Sequence, residues 1–216
     1  MLQLDPYHNL LSVNTLARVG KLASPRYVIR RIGVIRHEKA HPDWPWFAKE
    51  AVLRFEQMLQ PTHRGFEWGS GNGTVWMASR CAHLISVEHH QVWADTVRGK
   101  IAAAGLTNVD YRVVDEADYV SQIDTVADES LDFVVVDGLF RETVLGRSLP
   151  KVRPGGFVVF DNVNWYLPSE SRTPHSRSLR AGVKDPEMQP AADTLAEWSC
   201  TWLTNGVNDT AIFVRP

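Results

Sequence analysis

The stretch Phe66-Glu67-Trp68-Gly69-Ser70-Gly71-Asn72-Gly73-Thr74 sets a carboxylate just ahead of three glycines at alternate positions. Glycines in that spacing let the backbone turn sharply and let a ligand approach with no Cβ atoms in the way. A dinucleotide fingerprint, GxGxxG, would need its third glycine where Thr74 stands. Glu67 would repel a pyrophosphate but can pair with an amino group, so an amino-acid-like ligand suits this turn better than a diphosphate. A purely structural turn would also account for the glycines taken alone. Glu88, with His89 beside it, ends the next apolar run. An acid there can accept hydrogen bonds from both hydroxyls of a ribose; the alternative is an exposed strand-end charge. Asp115 closes a third run and is a weaker candidate for an adenine edge, with Glu116 and Asp118 near enough to substitute.

Such residues need strands to hold them. Short apolar runs at 65–68, 84–87, 111–114, 131–136 and 157–160 have strand length, and the fourth is almost wholly apolar, as in a strand covered on both faces. Helical periods separate them. Phe47, Ala51, Phe55 and Met58 share one face and stop at Pro61; Trp93, Val97 and Ile101 follow, then Val144, Leu145, Leu149 and Val152. This alternation implies parallel strands joined by right-handed crossovers, a doubly wound α/β sheet over residues 46–216. Residues 164–190, rich in Pro, Ser and Arg, read as a long loop, and 164–192 as a substrate loop. Strands at 198–203 and 211–214 flank Asn205-Gly206 and Asn208-Asp209, which predicts a terminal hairpin.

Residues 1–45 read as a basic helical arm, with Arg18, Lys21, Arg26, Arg30, Arg31, Arg36 and Lys39 between Val28, Ile29, Ile32 and Ile35. Such an arm either packs on the main domain with its basic face solvated, or covers the site and meets an anionic partner. The chain has 216 residues, 44% of them hydrophobic, enough for one large domain. A formal charge of −2 argues against a protein built to coat nucleic acid, and no apolar run is long enough for a membrane span. Cys81 and Cys200 form no CxxC pair, so a zinc cluster is not expected and a reducing cytoplasm is the default compartment.

The ordered set resembles the class I S-adenosylmethionine-dependent methyltransferases. It comprises Glu-x-Gly-x-Gly-x-Gly from Glu67, then Glu88, Asp137 after the fourth strand, and Lys151-Val-Arg-Pro-Gly-Gly156 before the fifth, over about 46–162. The resemblance implies S-adenosylmethionine as cofactor on a Rossmann-like sheet of seven strands, the last antiparallel. Glu67, Gly69, Ser70, Gly71, Asn72 and Gly73 would hold its methionine part. Glu88 with His89 would hold ribose, Asp115, Glu116 and Ala117 would lie near adenine, and Asp137 near the sulfonium. The candidate catalytic residues are then Asp137, Asp161 and, on the long loop, His175. Asp161 and Asn162 are similar to a magnesium-ligating pair in catechol O-methyltransferases, and with Asp137 they offer hard oxygen ligands. Arg141, however, would put a cation at that place, and the site is read without a metal.

Arg172, Arg177, Arg180 and Lys184 make the loop either a solvated segment or a lid for a phosphate or carboxylate. Trp44, Trp46, Trp165 and Tyr166 either wall an acceptor pocket or serve packing. The expected reaction is methyl transfer to a small molecule or glycan, on oxygen, with no nucleic-acid partner, since an NPPY-type tetrapeptide is absent after the fourth strand. A nicotinamide-dependent oxidoreductase and a non-catalytic binding module are the alternatives.

Overall fold

The structure is a computed structural model describing residues 24–216. The first half of the predicted arm, with Arg18 and Lys21, lies outside the described residues. Strands β1 (Arg64–Trp68), β2 (His83–Glu88), β3 (Val109–Val113), β4 (Leu131–Val136), β5 (Val152–Asp161), β6 (Ser199–Thr204) and β7 (Asp209–Val214) form one sheet, ordered β3-β2-β1-β4-β5-β7-β6. The first five are parallel, and β7 runs antiparallel to both its neighbours. Winding reverses between β1 and β4. Open α/β sheets bind ligands beyond the carboxyl ends of the strands at such a reversal.

The helices are α1 (Pro25–Ala40), α2 (Lys49–Met58), α3 (Asn72–Ala78), α4 (Gln91–Ala103), the single turn α5 (Glu116–Tyr119), α6 (Arg141–Ser148) and α7 (Gln189–Ala196). The period of two along β4 sorts them into layers. Phe133 and Val135 face Phe55 of α2 and Trp76 and Met77 of α3, while Val134 and Val136 face Val144 and Leu145 of α6 and Leu195 of α7. The Phe55 ring lies 5.5 Å from Phe133 and 5.7 Å from Phe157. Full burial of a side chain of this size stabilises the fold by about 1.5–3 kcal/mol.

Three elements differ from the sequence reading. The helix ending at Ser148 passes into a 3₁₀ turn, Leu149–Lys151, so Val152 starts β5 instead of closing a helix. Pro150 lacks the N–H that would continue the helix. Inside the expected loop, α7 begins at Gln189 with Pro190 in its first turn, where the missing N–H has no intrahelical partner to lose. The helix α1 forms, capped by Ser24 Oγ, which accepts the Tyr27 N–H at 3.2 Å. Its apolar stripe is nevertheless not buried among the described residues, Ile29 being 70% exposed.

The rest of the loop is irregular but packed. Buried Asn164 donates to Thr173 Oγ1 at 2.9 Å and accepts the Asp209 N–H at 3.3 Å. Arg177, expected on an anion-binding lid, is engaged instead with the carbonyls of Gly182, Ala181 and Val183 at 2.8–3.0 Å.

Candidate active site

The end of β1 carries Glu67 into the interior, where the side chain is 3% exposed. Ser86, its partner in register on β2, donates to Glu67 Oε2 at 2.5 Å, and Thr74 in the first turn of α3 donates to the same oxygen at 2.6 Å. Oε1 faces the glycine turn, and a Cβ on Gly73 would stand 3.4 Å from it. Burial pushes the Glu67 carboxyl up to about 8; the charges of Asp137 and Glu88 act in the same sense, and the two hydroxyls oppose it only in part.

Gly69 follows with φ +85°, a conformation that penalises any L side chain. A Cβ there would lie 2.6 Å from the Cα of Gly138, the residue two past β4. Gly138 is shut in likewise: its Cβ would meet the Tyr119 hydroxyl at 2.0 Å and the Gly69 nitrogen at 2.7 Å. The turns after β1 and β4 therefore touch backbone to backbone.

Glu88 at the end of β2 is also 3% exposed. Its Oε1 accepts the N–H groups of His89 at 2.9 Å and His90 at 2.8 Å. Its Oε2 accepts Ser70 N–H at 3.1 Å and Ser70 Oγ–H at 2.9 Å. An ionised carboxylate has about four acceptor sites, all taken here, and turning the Ser70 hydroxyl away would open one of them. That hydroxyl has a second partner at hand, the Tyr111 hydroxyl 2.8 Å away.

Beyond β4 and β5 the acidic residues gather around one guanidinium. Arg141, opening α6, pairs with Asp137 Oδ1 at 2.8 Å and donates to the carbonyls of Asp137 at 2.8 Å, Gly138 at 3.0 Å and Asp161 at 2.6 Å. It also donates to Asn162 Oδ1 at 3.2 Å. The cation between Asp137 and Asn162, where the magnesium reading would set a metal, is thus a side chain. Burial raises the Asp137 carboxyl while Arg141 pulls it down. Burial, reinforced by the charge of Asp137, pushes Asp161 up to about 8, against Arg141 and the hydroxyl of Thr210, which donates to Asp161 Oδ1 at 2.5 Å. Thr210 Oγ1 also accepts the Ala48 N–H at 3.2 Å, which ties the segment before α2 to this end of β5. Phe140 and Asn162, just past the two strand ends, both hold positive φ, a strained state for Phe140 in particular.

The other expected contacts fall apart from this cluster or on its rim. Asp115 caps α5 and is exposed with Glu116 and Ala117; Asn72 Oδ1 accepts from the Lys100 ammonium. His175 packs against Trp165, ring centroids 5.2 Å apart. Gly71 donates its N–H to Thr74 Oγ1 at 2.9 Å. Sequence reasoning missed Ser86, Thr74, Thr210, Trp93, which donates to Ser70 O at 2.7 Å, and Tyr119, whose buried ring lies 5.1 Å from Trp68 and 5.8 Å from His89. Only Ser86 left a signal, one hydroxyl inside an apolar strand.

Residues 66–163 match a protein-family model described as a methyltransferase domain. Among solved structures, the chain is similar to a candidate caffeoyl-CoA O-methyltransferase from Staphylococcus aureus, at 16% identity and TM-score 0.56, covering 92% of this chain and 100% of that one. It is similar to the O-methyltransferase TomG of Streptomyces achromogenes, solved with S-adenosylmethionine, at 17% identity and TM-score 0.53, covering 85% and 89%. An rRNA methylase from Streptococcus thermophilus shares the fold at 10% identity and TM-score 0.52, covering 74% and 90%. Comparison with curated proteins by sequence gives no match.

Proposed function

We propose that this chain, whose residues 66–163 match a methyltransferase-domain family model, is a class I S-adenosylmethionine-dependent methyltransferase that methylates an oxygen of a small-molecule or glycan acceptor. The observation that carries this reading is the pair of buried carboxylates, Glu67 and Glu88, flanking the Gly69 turn where the sheet reverses its winding. Glu67 Oε1, left open by two hydroxyls on Oε2, accepts the amino group of the methionine part. Glu88 would accept a ribose hydroxyl once the Ser70 hydroxyl turns to Tyr111. Thr74 stands where a dinucleotide fingerprint needs its third glycine, which argues against the nicotinamide alternative.

The bound cofactor supplies a methyl group on a sulfonium, already activated for displacement. The chain's task is to hold the acceptor oxygen in line with it and to keep water out; such positioning contributes about 7–11 kcal/mol. Asp161, whose carboxyl burial pushes up to about 8, receives in its ionised form the acceptor's O–H proton as the new carbon–oxygen bond forms. A base matched to the working pH adds about 10²–10⁴-fold. Asp137, held by Arg141, positions this wall of the site. The segment around Pro45 lies over the glycine turn, its Cβ 3.4 Å from where a Cβ of Gly73 would stand, and excludes solvent there.

Calorimetric titration with S-adenosylmethionine, adenosylhomocysteine and NAD tests the cofactor. The first two are expected to bind and NAD is not; loss of at least tenfold in Glu88→Ala is expected, and an unchanged affinity in that variant refutes the ribose role. Transfer of labelled methyl groups to a panel of hydroxylated metabolites and to RNA tests the acceptor class, which the shared fold alone leaves open.

A further inference from the structure

A second concavity of about 410 Å³ opens on the same rim of the sheet, two strands over from Asp161. Its walls among the described residues include Arg30 of α1, Ser169 and Arg172 of the loop, and Trp202 and Thr204 of β6. Pairing places Thr204 opposite Asp209 and Asp161 opposite Thr210, so this cleft begins about 10 Å from Asp161 across two strand spacings. Arg30 and Arg172 have no hydrogen bond or ion pair among the described residues, and Glu170 is the single acid in the lining. Ser169 Oγ accepts the Ser171 N–H at 3.2 Å and Thr204 Oγ1 accepts the Gly206 N–H at 2.9 Å, so both hydroxyl hydrogens point elsewhere.

Arg30 is seated by the chain itself. Gly206, at φ +78° in the turn between β6 and β7, leaves room for it: a Cβ there would meet the guanidinium at 2.3–2.8 Å. The side chain of Trp202 is fixed by donation from Nε1 to Asp209 Oδ2 at 2.9 Å, which gives the cleft a rigid aromatic wall. Two guanidiniums and two hydroxyl donors around such a wall match a ligand rich in acceptors and negatively charged.

Building on the methyltransferase reading, we infer that this cleft holds the anionic end of the acceptor. The acceptor carries a carboxylate or phosphate remote from the oxygen that takes the methyl group, at the far side of about two strand spacings from Asp161. Arg30 and Arg172 bind that anion.

The test titrates the full chain, with and without saturating adenosylhomocysteine, using glucose 6-phosphate, glucuronate and glucose as probes. Wild-type protein is expected to bind both anions at least tenfold more tightly than glucose. Arg30→Ala with Arg172→Ala is expected to abolish that preference and to leave adenosylhomocysteine affinity within twofold. Equal binding of the three probes, or a preference that survives in the double variant, overturns the assignment while leaving the cofactor site intact. Failure of adenosylhomocysteine to bind wild-type protein, with an arginine-dependent preference still present, overturns the methyltransferase reading and this cleft's role as part of an acceptor site.

Discussion

Glu67→Gln is the perturbation that bears most directly on the cofactor reading. The wild-type carboxyl is held near 8 by burial, against an ordinary value of 4.5. The native state therefore keeps a proton that the unfolded chain has released, and the contribution to stability, present below pH 4.5, is lost as pH rises toward 8. Between pH 6 and 8 the loss from this one group is about 2 kcal/mol. Glutamine keeps the shape and an oxygen for Ser86 and Thr74 but cannot titrate. Asp161, pushed up to about 8 as well, falls through the same window in both proteins, so the difference between them reports Glu67. Urea denaturation at pH 6, 7 and 8 measures that difference. Ligand binding must run the opposite way: an ammonium group needs the carboxylate ionised, so affinity for adenosylhomocysteine should rise about 50-fold from pH 6 to pH 8 in the wild type. The rise should be absent in Glu67→Gln, which binds weakly throughout. Parallel stability curves for the two proteins, or a pH-independent affinity in the wild type, would show the reasoning about Glu67 to be wrong.

Gly69→Ala should cost about 2–4 kcal/mol of stability, combining strain at positive φ with overlap against Gly138; a melting temperature within 2 degrees (~2 °C) of wild type counts against the close backbone contact. Arg141→Met should cost about 1–3 kcal/mol, because it removes the donor to half-buried Asp137 and to the carbonyls around it, and adding Asp137→Asn should recover part of that loss in the same denaturation assay. Because Arg141 stands among the oxygens of Asp137, Asp161 and Asn162, methyl transfer should proceed at full rate in EDTA; inactivation reversed by magnesium would revive the metal-dependent mechanism.

The sheet was legible because its central strands are buried on both faces and read as apolar runs, β4 most plainly at Leu131–Val136. Glu67 and Glu88 were legible because a charged residue at the end of such a run has few structural uses. Arg141 was legible as a cation at this place, but its bonds to the carbonyls of Asp137, Gly138 and Asp161 were not, since they join the turn after β4 to the end of β5 and only folding brings them within 3.0 Å. Thr210 was hidden for a related reason: its role comes from β7 lying antiparallel beside β5, and a hydroxyl in a hairpin strand carries no local signal. The loop reading at 164–190 departs from the structure at its end, where Gln189 and Pro190 already form the first turn of α7.

The contact between Gly69 and Gly138 constrains how this protein can move. A seam made of main chain has no rotamers to exchange, and close-packed interiors shift between discrete arrangements more readily than they stretch. The floor beneath the ligands therefore behaves as a fixed plate. Admitting one reactant and releasing another falls to the borders above it, the stretch around Pro45 and the segment running from Val163 to Met188. Changes in turnover that leave chemistry untouched should map to those borders.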